Sequence, residues 1–139
     1  MRKKHRPDPN RSDQAPCWCD SGNPVFRCCG PLLTRTATAT STEALMRSRY
    51  AAYVLRDTDY LMATWHPHTR PASLDLDPAQ RWLGLSINSV SAGGEHDTEG
   101  TVEFVARFKV HGRGHRLHER SRFVREQGLW FYWDGVFVR

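Results

Sequence analysis

The chain has 139 residues, 39% apolar and 25% charged, with five tryptophans and a net charge of +5. That is enough for one ordinary domain and a small appendage, but too little for two full cores. No stretch approaches the roughly 20 apolar residues that span a bilayer, which argues against a membrane protein.

The first fifteen residues are polar, charged and rich in proline, and they predict a disordered basic tail over 1–15. The tail begins Met1-Arg2-Lys3-Lys4, as a signal peptide can, yet no apolar segment follows before Cys17. The expectation is therefore a cytoplasmic protein. A second group of cations runs from Arg107 to Arg125. Two basic segments fit a solvated surface or contact with an acidic partner.

All four cysteines, Cys17, Cys19, Cys28 and Cys29, fall within residues 17–29. Zn²⁺ takes four thiolates tetrahedrally, and the intervening Asp20-Ser21-Gly22 supplies a turn in which Gly22 suits a positive φ. Disulfides fit poorly. The compartment is reducing, and a bond between residues 28 and 29, or between 17 and 19, would be strained. Four protein ligands leave no open position on the metal, so the expected role is structural. A module of residues 16–31 is too small to bury a core, and metal binding would supply its folding energy, roughly 10–16 kcal/mol in finger peptides. With four thiolates and one dication the net charge falls to +3, and no recognition helix follows the cysteines. Both points argue against a nucleic-acid partner.

Residues 32–42 include the low-complexity run Thr34 to Thr42 and read as a linker. Thr40 followed by Glu43 reads as a capping box. Leu45, Met46, Tyr50, Tyr53 and Val54 form a helical stripe to about Arg56. Asp57 or Thr58 caps a second helix through Trp65, stopped by His66-Pro67. Asp77-Pro78 opens a third short helix to about Trp82. Alternation then takes over: a strand from Leu85 to Gly93, a second from Thr101 to Val110, a third from His115 to Arg125 and a fourth from Leu129 to Trp133. Helices followed by an antiparallel meander predict an α+β domain over residues 43–139. The linker and the separate core predict that loss of one cysteine unfolds residues 16–30 and leaves the melting of the larger domain untouched.

Cys-Trp-Cys-Asp-Ser-Gly followed by Arg-Cys-Cys-Gly resembles the SEC-C motif of the Sec translocase ATPase and many bacterial proteins. Asp20 stands where that motif usually has glycine. Glu43 to Tyr50, Thr64-Trp65-His66-Pro67, Thr69-Arg70 and Leu117 to Phe123 resemble the YchJ-like bacterial family, which joins SEC-C modules to a nuclear transport factor 2-like domain. The resemblance implies a cone, a curved sheet wrapped around helices, and it implies interaction, because related modules bind protein partners. Trp18, Arg27 and the basic tail would make the contact.

Cones of this type often hold a cavity between helix and sheet. Glu119 and Ser121 share a strand face with Leu117 and Phe123, so a carboxylate enters an apolar interior and needs a cation or a proton. Arg70, Arg47 and Arg49 are the candidate cations, and His66 is a candidate titrating group. Two roles are open for His66, Arg70, Glu119 and Ser121: a structural salt bridge with a helix stop, or a pocket for a small polar molecule with acid–base chemistry. His118 reads as a solvated edge residue, and Tyr132 and Trp133 as lining a cavity mouth. The expectation is a zinc-binding adaptor that docks a protein, with a small-molecule-binding or acid–base protein as the alternative.

Overall fold

A computed structural model describes residues 14–139. The predicted tail therefore lies outside the described residues except for Gln14 and Ala15. The Ala15 carbonyl accepts the Val25 N–H at 2.9 Å, and Pro16 bridges Pro24. A 3₁₀ turn over Val25–Arg27 leads into α1 (Gly30–Leu33), followed by α2 (Thr42–Leu55), α3 (Thr58–Ala63) and four strands: β1 (Gln80–Ala92), β2 (Glu99–Val110), β3 (Arg113–Glu126) and β4 (Leu129–Phe137).

The long helix starts one residue later than the capping box predicts. Ser41, not Thr40, is the N-cap, and its Oγ accepts the Ala44 N–H at 3.1 Å. Glu43 is therefore not at the position that reaches back to the cap. It pairs instead with Arg47 Nε at 3.0 Å, one helical turn on. Asp57 caps α3 by accepting the Tyr60 N–H, as expected. The third helix does not form. Asp77 Oδ1 accepts the Ala79 N–H in a local turn, and β1 begins at Gln80. Pairing with β2 wins there, because it places Trp82 opposite Phe108 and against Tyr50 and Tyr53.

The strands form one antiparallel meander in the order β1-β2-β3-β4. Register shifts at Trp82/Gly84, Ile87/Ser89 and Arg122/Phe123 mark irregularities of the kind that bend a sheet. α2 packs on one face of the sheet and meets β1, β2 and β4. The β2 residues Val102, Phe104 and Ala106 face it and are buried, as alternation predicts.

The cysteine segment is not a separate body. Cys17, Cys19, Val25 and Cys29 belong to the same buried cluster as Leu45, Met46, Tyr50, Leu85, Phe104 and Phe123. Leu32 and Leu33, placed in the linker by composition, pack against the Ala52, Tyr60 and Leu61 cluster. The predicted linker starts too early, because the low-complexity run begins only at Thr34, after both leucines. The independent melting of the larger domain is therefore not expected of this structure.

Candidate functional site

The local chain path brings the cysteines together. The Cys17 N–H donates to Asn23 O at 2.8 Å, closing a tight loop in which Asp20 and Gly22 both take positive φ, 62° and 87°. The Cys28 N–H donates to Val25 O at 3.0 Å and delivers the second pair. All four sulfurs lie within 4.8 Å of one another. Cys19 and Cys28 are 3.5 Å apart and Cys28 and Cys29 are 3.9 Å apart. A tetrahedron with Zn–S bonds of about 2.3 Å has edges of about 3.8 Å, so the donor set fits a thiolate-bound cation. Cys17, Cys19 and Cys29 are buried and Cys28 is half-buried.

The thiols perturb one another. Thiol contacts from Cys17 and then Cys29 hold Cys19 far below the ordinary thiol value. The bond to Cys19 pushes Cys17 up to about 11, and contacts with Cys17 and Cys19 together with burial push Cys29 up as well. Four thiolates at this spacing need a divalent cation among them. Arg47 adds positive charge from α2: its Nη1 donates to Cys19 O at 2.9 Å and lies 3.9 Å from Cys19 Sγ. Desolvation opposes the charge on Arg47, but its bonds to Glu43 and Cys19 outweigh that and raise its pKa.

Two features tie this centre to its surroundings. Asp20 Oδ2 accepts the Leu85 N–H at 3.0 Å, at the irregularity in β1. Beside the centre, an apolar groove of about 380 Å³ is lined by Trp18, Val25, Phe26, Pro31, Leu33 and Leu55. Phe26 is 48% exposed, and the Arg27 guanidinium lies over its ring at 5.6 Å.

The second candidate region lies between α2 and the sheet. A cavity of about 180 Å³ is lined by Arg49, Tyr53, Trp82, Phe104, Glu119, Ser121 and Tyr132, among others. Ser121 Oγ donates to Glu119 Oε2 at 2.9 Å. Burial raises the Glu119 pKa above the ordinary carboxylate range, against the pull of Ser121 and Arg49. Glu119 and Ser121 thus sit together as the strand pattern predicts, with Arg49 as the cation that shares their cavity.

His66 and Arg70 are not brought to it. The His66 ring packs on Phe131, His68 and Trp133, with Nδ1 accepting the His68 N–H and Nε2 3.0 Å from Glu126 Oε1, out of hydrogen-bond alignment. Arg70 Nε donates to Trp65 O. The turn after Ala63 carries both residues outside the cavity, so His66 and Glu119 cannot act as an acid–base pair. Trp133 also faces His66, whereas Tyr132 does line the cavity. His118 is not merely solvated, because its Nε2 lies 2.8 Å from Glu103 Oε2. Sequence reasoning missed Tyr53 as a cavity residue and Asp20 as a tie to β1. Its only signal for Asp20 was an aspartate at a position where glycine is usual.

Residues 41–135 match the family described as YchJ, middle NTF2-like domain. The chain belongs to the YchJ-like family. Among its relatives is a UPF0225 protein of Chromobacterium violaceum, 50% identical over 127 residues, covering 88% of this chain and 93% of the relative. A UPF0225 protein of Streptomyces coelicolor is 51% identical over 123 residues, covering 88% and 96%. The solution structure of a SEC-C motif containing protein from Rhodopseudomonas palustris is 43% identical, with a TM-score of 0.78, covering 88% of this chain and 98% of that one. The crystal structure of another such protein, from Psychrobacter arcticus, is 24% identical with a TM-score of 0.71, covering 91% and 83%, and it supports the fold. YchJ-like membership agrees with the helices, the four-stranded antiparallel sheet and the N-terminal cysteine cluster. Among the described residues, no helix is long and apolar enough to cross a membrane.

Proposed function

We propose that this YchJ-like protein is a zinc-dependent adaptor of the cytoplasm. Cys17, Cys19, Cys28 and Cys29 hold a structural Zn²⁺, and the surface beside it docks a protein partner. The convergence of four sulfurs within 4.8 Å is the observation that carries the zinc reading. When bound, the ion would supply charge balance and cross-linking, not catalysis, because four protein ligands fill its coordination.

The groove of Trp18, Phe26, Pro31, Leu33 and Leu55 supports the docking reading. An exposed aromatic ring beside an arginine suits a partner that inserts an apolar side chain and meets Arg27 with an acid. The surface is basic at Arg27, and such rim contacts weaken with salt. The acid–base alternative loses its proposed pair, since His66 lies away from Glu119.

Metal analysis of the purified full chain tests the first half: about one zinc per chain is expected, and none in a Cys17→Ser/Cys19→Ser variant. A protein that folds without stoichiometric metal would sink the zinc reading. For the second half, Phe26→Glu should keep its metal but lose a partner that native protein retains in affinity purification. Recovery of the same partner by both would refute docking through this groove.

A further inference from the structure

The cavity between α2 and the sheet has an electrostatic peculiarity that the metal centre does not explain. Arg49 is only 3% exposed. Its Nη1 donates to Leu61 O at 2.8 Å and to Thr64 Oγ1 at 2.7 Å, and its guanidinium lies over the rings of Tyr132, at 4.5 Å, and Trp65, at 5.2 Å. Among the described residues it forms no salt bridge. An arginine does not shed its proton in a protein. A buried, permanently charged group without a contacting counter-ion is costly, even with neutral acceptors and aromatic faces around it.

Glu119 shares the cavity but does not neutralise Arg49 by contact. Its Oε2 is engaged by Ser121, and burial opposes its charge. Arg49 therefore lines the cavity without a contacting counter-ion. The space left open is about 180 Å³, more than the roughly 150 Å³ of an engineered apolar cavity that admits benzene. Tyr53, Trp82, Phe104 and Tyr132 supply aromatic walls, which favour a flat molecule over a branched one. A cationic ligand would suit aromatic walls too, but it would have to share a low-dielectric space with Arg49.

We propose that this cavity binds a small planar carboxylic acid, its carboxylate toward Arg49 and its ring among the aromatic side chains. Glu119 and Ser121 stand at the same cavity as hydrogen-bonding groups for a polar ring substituent. The proposal is independent of the metal centre and of partner docking.

Three one-ring probes distinguish the possibilities: benzoate, its neutral analogue benzamide, and the cation benzylamine, each titrated by NMR into the full-length, metal-loaded protein. Benzoate should bind at least about tenfold more tightly than benzamide, a difference of ~1.4 kcal/mol, and benzylamine should not bind. The shifted amides should include those of Ser121 and Tyr132. Arg49→Met should lose benzoate binding. Because that change also removes bonds to Leu61 and Thr64, Ala106→Leu serves as a second variant. It extends a buried wall residue into the cavity and should abolish binding in a protein that keeps its native spectrum. Equal affinity for benzoate and benzamide, tighter binding of benzylamine, no binding of benzoate, or full binding by Ala106→Leu would each overturn the proposal.

Discussion

Asp20 shows how one side chain can make an unfavourable backbone worthwhile. Its φ of 62° lies in the left-handed region, where a residue with a Cβ is disfavoured by roughly 1–2 kcal/mol, less for aspartate. In return its carboxylate satisfies the Leu85 N–H. The SEC-C resemblance puts glycine at this position, and the dihedral angle explains why. Asp20→Asn, which keeps an acceptor, should be nearly neutral. Asp20→Gly should relieve the backbone but orphan the Leu85 donor, and Asp20→Ala should do worst, at about 2 kcal/mol. Denaturant midpoints falling in any other order would contradict this account. Glu119 makes the opposite exchange. Its native pKa lies above the unfolded value, so the native state binds the extra proton. Its contribution to stability is present below the ordinary carboxylate range and is lost as pH rises through the native pKa. The groups that act on it are Ser121, Arg49, Tyr132 and Asp134. Glu119→Gln should flatten that part of the stability–pH profile and raise stability at neutral pH. An unchanged profile would show that the carboxyl is not desolvated as described.

At the scale of elements, the outer face of the sheet opposes like charges. Arg107 on β2 pairs in register with Arg116 on β3, and Arg81 on β1 pairs with Lys109 on β2. Like charges directly opposite cost a few tenths to about 1 kcal/mol. Arg116→Glu should therefore stabilise the protein by about 0.5 kcal/mol, with a gain that shrinks at high salt. A loss of stability would mean that these guanidinium groups are already paired. The strands themselves were legible from alternation, because Val102, Phe104 and Ala106 face a core while Glu103 and Arg107 do not. The helix over residues 78–82 was misread for the converse reason. Asp77-Pro78 carries a valid local signal, but Trp82 gains more from strand pairing and from Tyr50 and Tyr53 than one helical turn offers. The cap at Ser41 lay one residue from its predicted place because three consecutive hydroxyl residues, Thr40, Ser41 and Thr42, offer the same chemistry to the helix start.

For the whole molecule, cysteine spacing revealed the candidate metal centre, and strand faces revealed Glu119 with Ser121. Long-range geometry remained hidden: neither the position of Arg49 under Tyr132 nor the departure of His66 from the cavity follows from any local pattern. The joining of the cysteine segment to the main core was hidden too, because sequence separation suggested independence. That joining changes the expected effect of losing a ligand. Cys19→Ser should lower the midpoint of one cooperative transition, with loss of 3 kcal/mol or more giving a fall on the order of 10 °C. Calorimetry showing a native-like transition for residues 43–139 would restore the picture of two independent units. If zinc fills the centre, the shared core has a cellular corollary. Chains synthesised during zinc starvation would expose the hydrophobic interior of the entire protein to proteases, not just a frayed end. Steady-state abundance, measured by immunoblot, would then rise and fall with the metal content of the growth medium.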